Sequence, residues 1–137
     1  MSKNRYRDSY NRLLPMRPSV NAFITLYLLH LLNENEKLYG KEMIDMMMKR
    51  FKGSWTPSHG LVYPILKELE EDGLIKGTWT KGATNRSIKE YELTKAGRSV
   101  YNVEKKYMEK DFNATMTMIE TFMVDIYNTE MIDFSQQ

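Results

Sequence analysis

Apolar residues recur along this chain in blocks whose period changes twice, from helical to alternating and back. From Val20, the positions Phe23, Ile24, Tyr27, Leu28, Leu31 and Leu32 follow the i, i+3, i+4 repeat of a helix with one buried face. Ser19, just after Pro18, is placed to cap its start, and the pattern ends near Asn33. After the polar connection Asn33–Lys37, the run LYGKEMIDMMMKRF predicts a second helix. Its buried face would come from Leu38, Met43, Met46, Met47 and Phe51. A turn containing Gly53 and Pro57 leads into PSHGLVYPILKELEEDGLI, where Val62, Ile65, Leu66 and Leu69 define one face of a third helix. That helix starts near His59–Gly60 with Ser58 or Gly60 as cap, ends at Gly73, and carries Pro64, which predicts local irregularity at Tyr63–Pro64.

The period then shifts to two. LIKGTWT and IKEYELT read as strands joined by the turn-rich KGATNRS, a hairpin with an enlarged tip. Thr94 caps a last helix that runs for about thirty residues. Val100, Tyr107, Phe112, Met116, Ile119, Phe122, Met123, Ile126 and Tyr127 populate one side of it. A helix this long cannot bury its stripe on a three-helix core, so a second copy of the same helix is the expected cover. Tyr107, Phe112, Met116, Ile119, Phe122, Met123 and Ile126 are the expected dimer contacts.

The fold class is therefore mainly α with a small β-hairpin, a winged helix-turn-helix with a long C-terminal dimerisation helix. It divides into a basic N-terminal arm (1–17), a winged-helix domain (18–94) and the dimerisation helix (95–137). Composition narrows the class further. The chain has 137 residues, 42% apolar and 28% charged, as expected of one soluble globular domain. No apolar run is long enough to cross a bilayer, and the N-terminus lacks a signal-peptide core, so a cytoplasmic, nucleoid-associated protein is expected. The absence of cysteine excludes disulfides, thiolate zinc sites and iron–sulfur clusters. Two widely separated histidines and no glycine-rich phosphate loop leave no catalytic constellation, so neither enzymatic activity nor a cofactor or metal is expected.

The net charge of +2 is unevenly spread. Residues 1–17 and 74–98 each carry +4, residues 52–73 carry −2, and residues 99–137 carry −4. Two basic segments flank the third helix, whose own tail is acidic, so its leading end is the part suited to a polyanion. The expected partner is double-stranded DNA, bound by a homodimer. Ser58, His59, Gly60, Leu61, Tyr63 and Lys67 would lie nearest the major groove. Lys81, Asn85, Arg86 and Lys89 of the hairpin would touch phosphate or the adjacent minor groove. The arm residues Arg5, Arg7 and Arg12 would lie along the backbone, and Tyr39, Gly40 and Lys41 would offer the second helix's N-terminus to a phosphate. The Met46–Met48 run reads first as adaptable core filler. Together with Trp55 and Trp79 it leaves open a pocket for a small apolar effector. His30 reads as an ordinary helix-surface residue.

Three motifs occur together and in order: LYGKEMI, then PSHGLVYPILKELEEDGLI, then the hairpin ending in YELTKAGR. Over roughly residues 20–100 the chain resembles the PadR family of bacterial transcription regulators. The resemblance implies a winged-helix dimer on palindromic operator DNA, usually a repressor. It assigns Gly60 and Tyr63 to the family's recognition helix and Lys89 to its wing lysine. Leu61 stands where the family often has a small hydroxyl residue, and Ile88 where an arginine often precedes the wing lysine. The LYG segment, the Val-Tyr of the third helix and the Leu-Glu-x-x-Gly-Leu-Ile run also resemble the bacterial replication terminator protein. That is another winged-helix dimer with a long final helix, and it arrests replication forks.

Overall fold

The computed structural model describes residues 18–127; the arm arginines Arg5, Arg7 and Arg12 lie outside the described residues. Helix α1 (Val20–Glu34) begins at the expected cap, with Ser19 Oγ accepting from the Ala22 N–H at 3.1 Å. Ile24, Leu28, Leu29, Leu31 and Leu32 are all buried, more of its circumference than one amphipathic face would need. The cause is its position: it packs against the third and fourth helices and the sheet together.

The second apolar block divides in two. Leu38–Tyr39 forms a short strand, β1, and only Gly40–Arg50 is helical (α2). Leu38, expected on the helix, is instead buried in a strand that pairs with the second strand of the hairpin, Leu38 opposite Tyr91 and Tyr39 opposite Glu90. A two-residue strand is too short to show a period of two, so the hairpin's third partner left no pattern in the sequence. Met43, Ile44 and Met47 are the fully buried residues of α2 apart from Gly40, while Met46 is half-buried and Met48 is exposed.

Helix α3 (His59–Glu71) buries Val62, Ile65, Leu66 and Leu69, as its spacing predicts. It runs unbroken through Pro64 rather than distorting at Tyr63–Pro64. Its end is a tight reversal. Gly73 takes a left-handed φ of 73°, its N–H donates to the Glu70 carbonyl at 3.0 Å, and the Leu74 N–H reaches the Leu69 carbonyl at 2.9 Å. Strands β2 (Ile75–Lys81) and β3 (Ser87–Leu93) then form the wing, antiparallel, with Gly77 opposite Tyr91 and Trp79 opposite Lys89. The sheet order is β1-β3-β2. The tip is five residues, 82–86, closed by the Gly82 N–H on the Arg86 carbonyl at 2.8 Å.

Helix α4 (Lys95–Tyr127) spans 33 residues, about 50 Å. Its first half lies antiparallel on α1. Arg98 donates to Asn33 at 2.6 Å, the Tyr101 hydroxyl meets His30 Nδ1 at 2.8 Å, and Phe112 stacks on Phe23 with ring centroids 4.9 Å apart. His30 is thus a half-buried tie between helices, not a plain surface residue. The row facing the domain is Gly97, Tyr101, Glu104, Met108 and Asp111, one position away from the apolar series that dominates the sequence. From Phe112 to Tyr127 no residue is buried.

Candidate nucleic-acid interface

Four apolar residues anchored inward determine what α3 shows to the outside. Ser58 caps the helix, its Oγ accepting from the Leu61 N–H at 3.2 Å. His59, Gly60, Tyr63, Pro64 and Lys67 are exposed on successive turns. The His59 and Tyr63 rings lie 5.7 Å apart, a continuous aromatic ridge beside the smooth Gly60 position. No acidic residue stands in the first turn, so the positive end of the helix dipole is not offset there. Leu61 is half-buried and packs on the core, which removes much of its side chain from the outward face. Pro64 joins that face instead; its apolar, helix-breaking character gives no hint of this in the sequence.

Tyr63 also reaches the second helix. A Cβ on Gly40 would lie 2.7 Å from Tyr63 Cε1. Gly40 is therefore buried under the tyrosine ring, and its lack of a side chain is what lets the ring lie there. The Tyr39 N–H is occupied, donating to Glu42 at 2.8 Å. Lys41, one residue on, is exposed.

At the wing, Lys81, Asn85 and Arg86 are exposed, and Asn85 holds a left-handed φ of 62° in the tip. Lys89 is different. Its Nζ lies 2.5 Å from Glu70 Oε1 on α3, with both side chains about a quarter exposed. The hydrogen bond to Glu70 raises the Lys89 pKa above its ordinary value, against the smaller opposing effect of burial. Nearby, burial raises the Tyr91 hydroxyl.

A second feature adjoins α1. Val20, Phe23, Ile24, Tyr27, Phe51, Ser54 and Trp55 line an open apolar cavity of about 440 Å³. Trp55 is part of this lining, whereas Trp79 stands exposed on β2 and the Met46–Met48 run lies elsewhere on α2. Among the described residues no group of three His, Cys, Asp or Glu could hold a metal ion, and no helix is long and apolar enough to cross a membrane.

The family described as transcriptional regulator PadR-like matches residues 28–103, from the middle of α1 through the wing into α4. The chain belongs to the PadR-like family. It is a DNA-binding transcriptional regulator by that membership, with the family's winged-helix fold. The regulator is similar to a PadR-like transcription factor from Bacteroides fragilis, at 25% identity and a TM-score of 0.56, covering 72% of this chain and 91% of that one. A transcriptional-regulator structure from Thermoplasma acidophilum matches in fold with a TM-score of 0.64 at 20% identity, over 74% of this chain and 93% of that one. The replication termination protein of Bacillus subtilis is 32% identical over 120 residues, which cover 79% of this chain and 94% of that protein.

Proposed function

We propose that this regulator is a homodimer that binds a palindromic DNA site and represses transcription from it, in the nucleoid of the cytoplasm. The observation that carries this reading is the outward face of α3: Ser58, His59, Gly60, Tyr63 and Lys67 are all exposed, on a helix whose other side is fixed by four core residues. A helix held this way can enter a major groove N-terminus first without reorganising. Lys81 and Arg86, on either side of the wing tip, would contact phosphate, and Lys41 would do so from the first turn of α2. Such contacts set register, leaving base reading to the few α3 side chains.

Dimerisation is supported by α4. Met116, Ile119, Phe122, Met123 and Ile126 are between 39% and 65% exposed, at helical spacing beyond the last buried position. That spacing is a coiled-coil seam without its second strand. Phe112, expected in the seam, is half spent on Phe23 of the same chain.

The similarity to the replication termination protein along nearly all of that protein's length favours a second reading, arrest of a replication fork at the bound site. The apolar cavity beside Trp55 supports regulation by a small apolar effector, read as quenching of tryptophan fluorescence with loss of DNA binding. Genome-wide footprinting tests the main reading. Protection of palindromes overlapping promoters, with derepression on deletion of the gene, is the expected result. Protection clustered where replication ends, with no change in transcription, would replace it with fork arrest.

A further inference from the structure

Three elements meet at one point behind the proposed reading face. Glu70 comes from the last turn of α3, Gly77 from β2 and Lys89 from β3. Tyr91 is the cross-strand partner of Gly77, and Trp79 that of Lys89, so Lys89 crosses the sheet diagonally to reach the helix. The two side chains meet in the space that Gly77 leaves open. A Cβ there would sit 2.8 Å and 3.2 Å from the two carboxylate oxygens of Glu70 and would run into Lys89 Cε. The Trp79 and Tyr91 rings flank the ammonium at 5.6 Å and 5.8 Å from their centroids.

We propose that Glu70, Lys89 and Gly77 form a clamp that fixes the pitch of the wing against the reading helix, with Lys89 a positioning residue rather than a phosphate contact. The inference rests on the DNA-binding reading above. Lys76, Lys81 and Arg86 are exposed on the same hairpin, whereas Lys89 alone among these is both half-buried and ion-paired. A phosphate competing for Lys89 would have to displace a carboxylate in hydrogen-bond contact, and would leave that carboxylate beside the polyanion. Ion pairs this exposed contribute little to stability. What this one contributes is direction, because it ties the hairpin to the same helix whose front end reads the groove.

The test compares the full-length wild type with Glu70→Gln, Gly77→Ala and the double swap Glu70→Lys with Lys89→Glu. Binding is measured against a duplex selected from a random library by the wild type, and against a random-sequence duplex, at several salt concentrations. Thermal melts confirm that each variant is folded. Glu70→Gln makes the protein more positive, so a clamp and a phosphate contact predict opposite signs. The clamp predicts about fivefold weaker binding to the selected duplex, with affinity for random DNA no lower than that of the wild type and the salt slope unchanged. Gly77→Ala, which keeps both charges but fills the notch, gives the same loss, and the swap restores affinity. Tighter binding by Glu70→Gln with a salt slope steeper by about 0.9 would make Lys89 a phosphate contact restrained by Glu70 and overturn the clamp. Unchanged affinity in Glu70→Gln overturns it as well. A wild type that selects no sequence at all would instead sink the proposed sequence-specific binding, and the clamp with it.

Discussion

Tyr63 touches two of the chain's short motifs at once. It stands on the outward face of α3, and its ring covers Gly40 at the start of α2. The glycine is there for space, so a methyl group at that position has to push the ring outward. Gly40→Ala is expected to destabilise the fold by about 1–2 kcal/mol, by the usual cost of overpacking. It is also expected to weaken binding to the selected DNA more than to random DNA. Denaturant melts and competition binding would check the two effects separately. A variant with normal affinity would show that the ring's position is irrelevant to recognition. Leu61 and Gly40 illustrate what residue-level reading misses: both sit at positions where local sequence suggests exposure, and only the arrival of a distant side chain or core surface buries them.

At the scale of elements, the helices were legible and the joints between them were not. The i, i+3, i+4 series located α1, α3 and α4, and all four inward residues of α3, because burial of a helix face leaves a periodic record. Strand β1 left none. The motifs YELTKAGR and LEEDGLI turn out to be two halves of one joint. Thr94 Oγ1 donates to the Gly73 carbonyl at 2.7 Å and accepts from the Gly97 N–H at 3.0 Å, while the Thr94 N–H donates to the Leu74 carbonyl at 3.1 Å. Gly97 in turn packs directly on that Leu74 carbonyl, where a Cβ could not fit. Thr94→Ala removes a helix cap and an interelement bond together, and is expected to cost about 2 kcal/mol in equilibrium unfolding. Thr94→Ser should recover most of it. The wing tip is simpler, since Lys81 and Arg86 are exposed and act as point charges. Replacing both with Ala is expected to weaken binding to every duplex and to reduce the salt slope by about 0.9 for each phosphate no longer neutralised. An unchanged slope would remove the wing tip from the interface.

For the whole molecule, the decisive surface is the far half of α4. Its apolar series is what suggested a second copy in the sequence, and the structure leaves Ile119, Phe122 and Ile126 at least half exposed. The nearer half of the same helix is engaged with the protein's own domain, because Phe112 stacks on Phe23 while Tyr101 and Arg98 bind α1. Sequence periodicity cannot tell these halves apart, since both present apolar residues to something. Ile119→Glu with Phe122→Glu places like charges in the proposed seam. Sedimentation should then show a monomer that keeps its melting behaviour and loses most of its site-specific affinity. A variant that remains dimeric would move the interface elsewhere.

The Thr94 joint has one more consequence. It ties the tight turn at the tail of the reading helix, by two hydrogen bonds, to the head of the helix that would meet its counterpart in a second copy. A dimer assembled through such joints would act as a caliper, the gap between its two reading heads set by helix length and packing rather than by the DNA. One base pair inserted at the centre of a preferred palindrome moves the half-sites apart by about 3.4 Å and rotates one against the other by about a tenth of a turn. A caliper cannot follow that rotation, so the lengthened site should bind no better than random DNA even with every base in both halves intact.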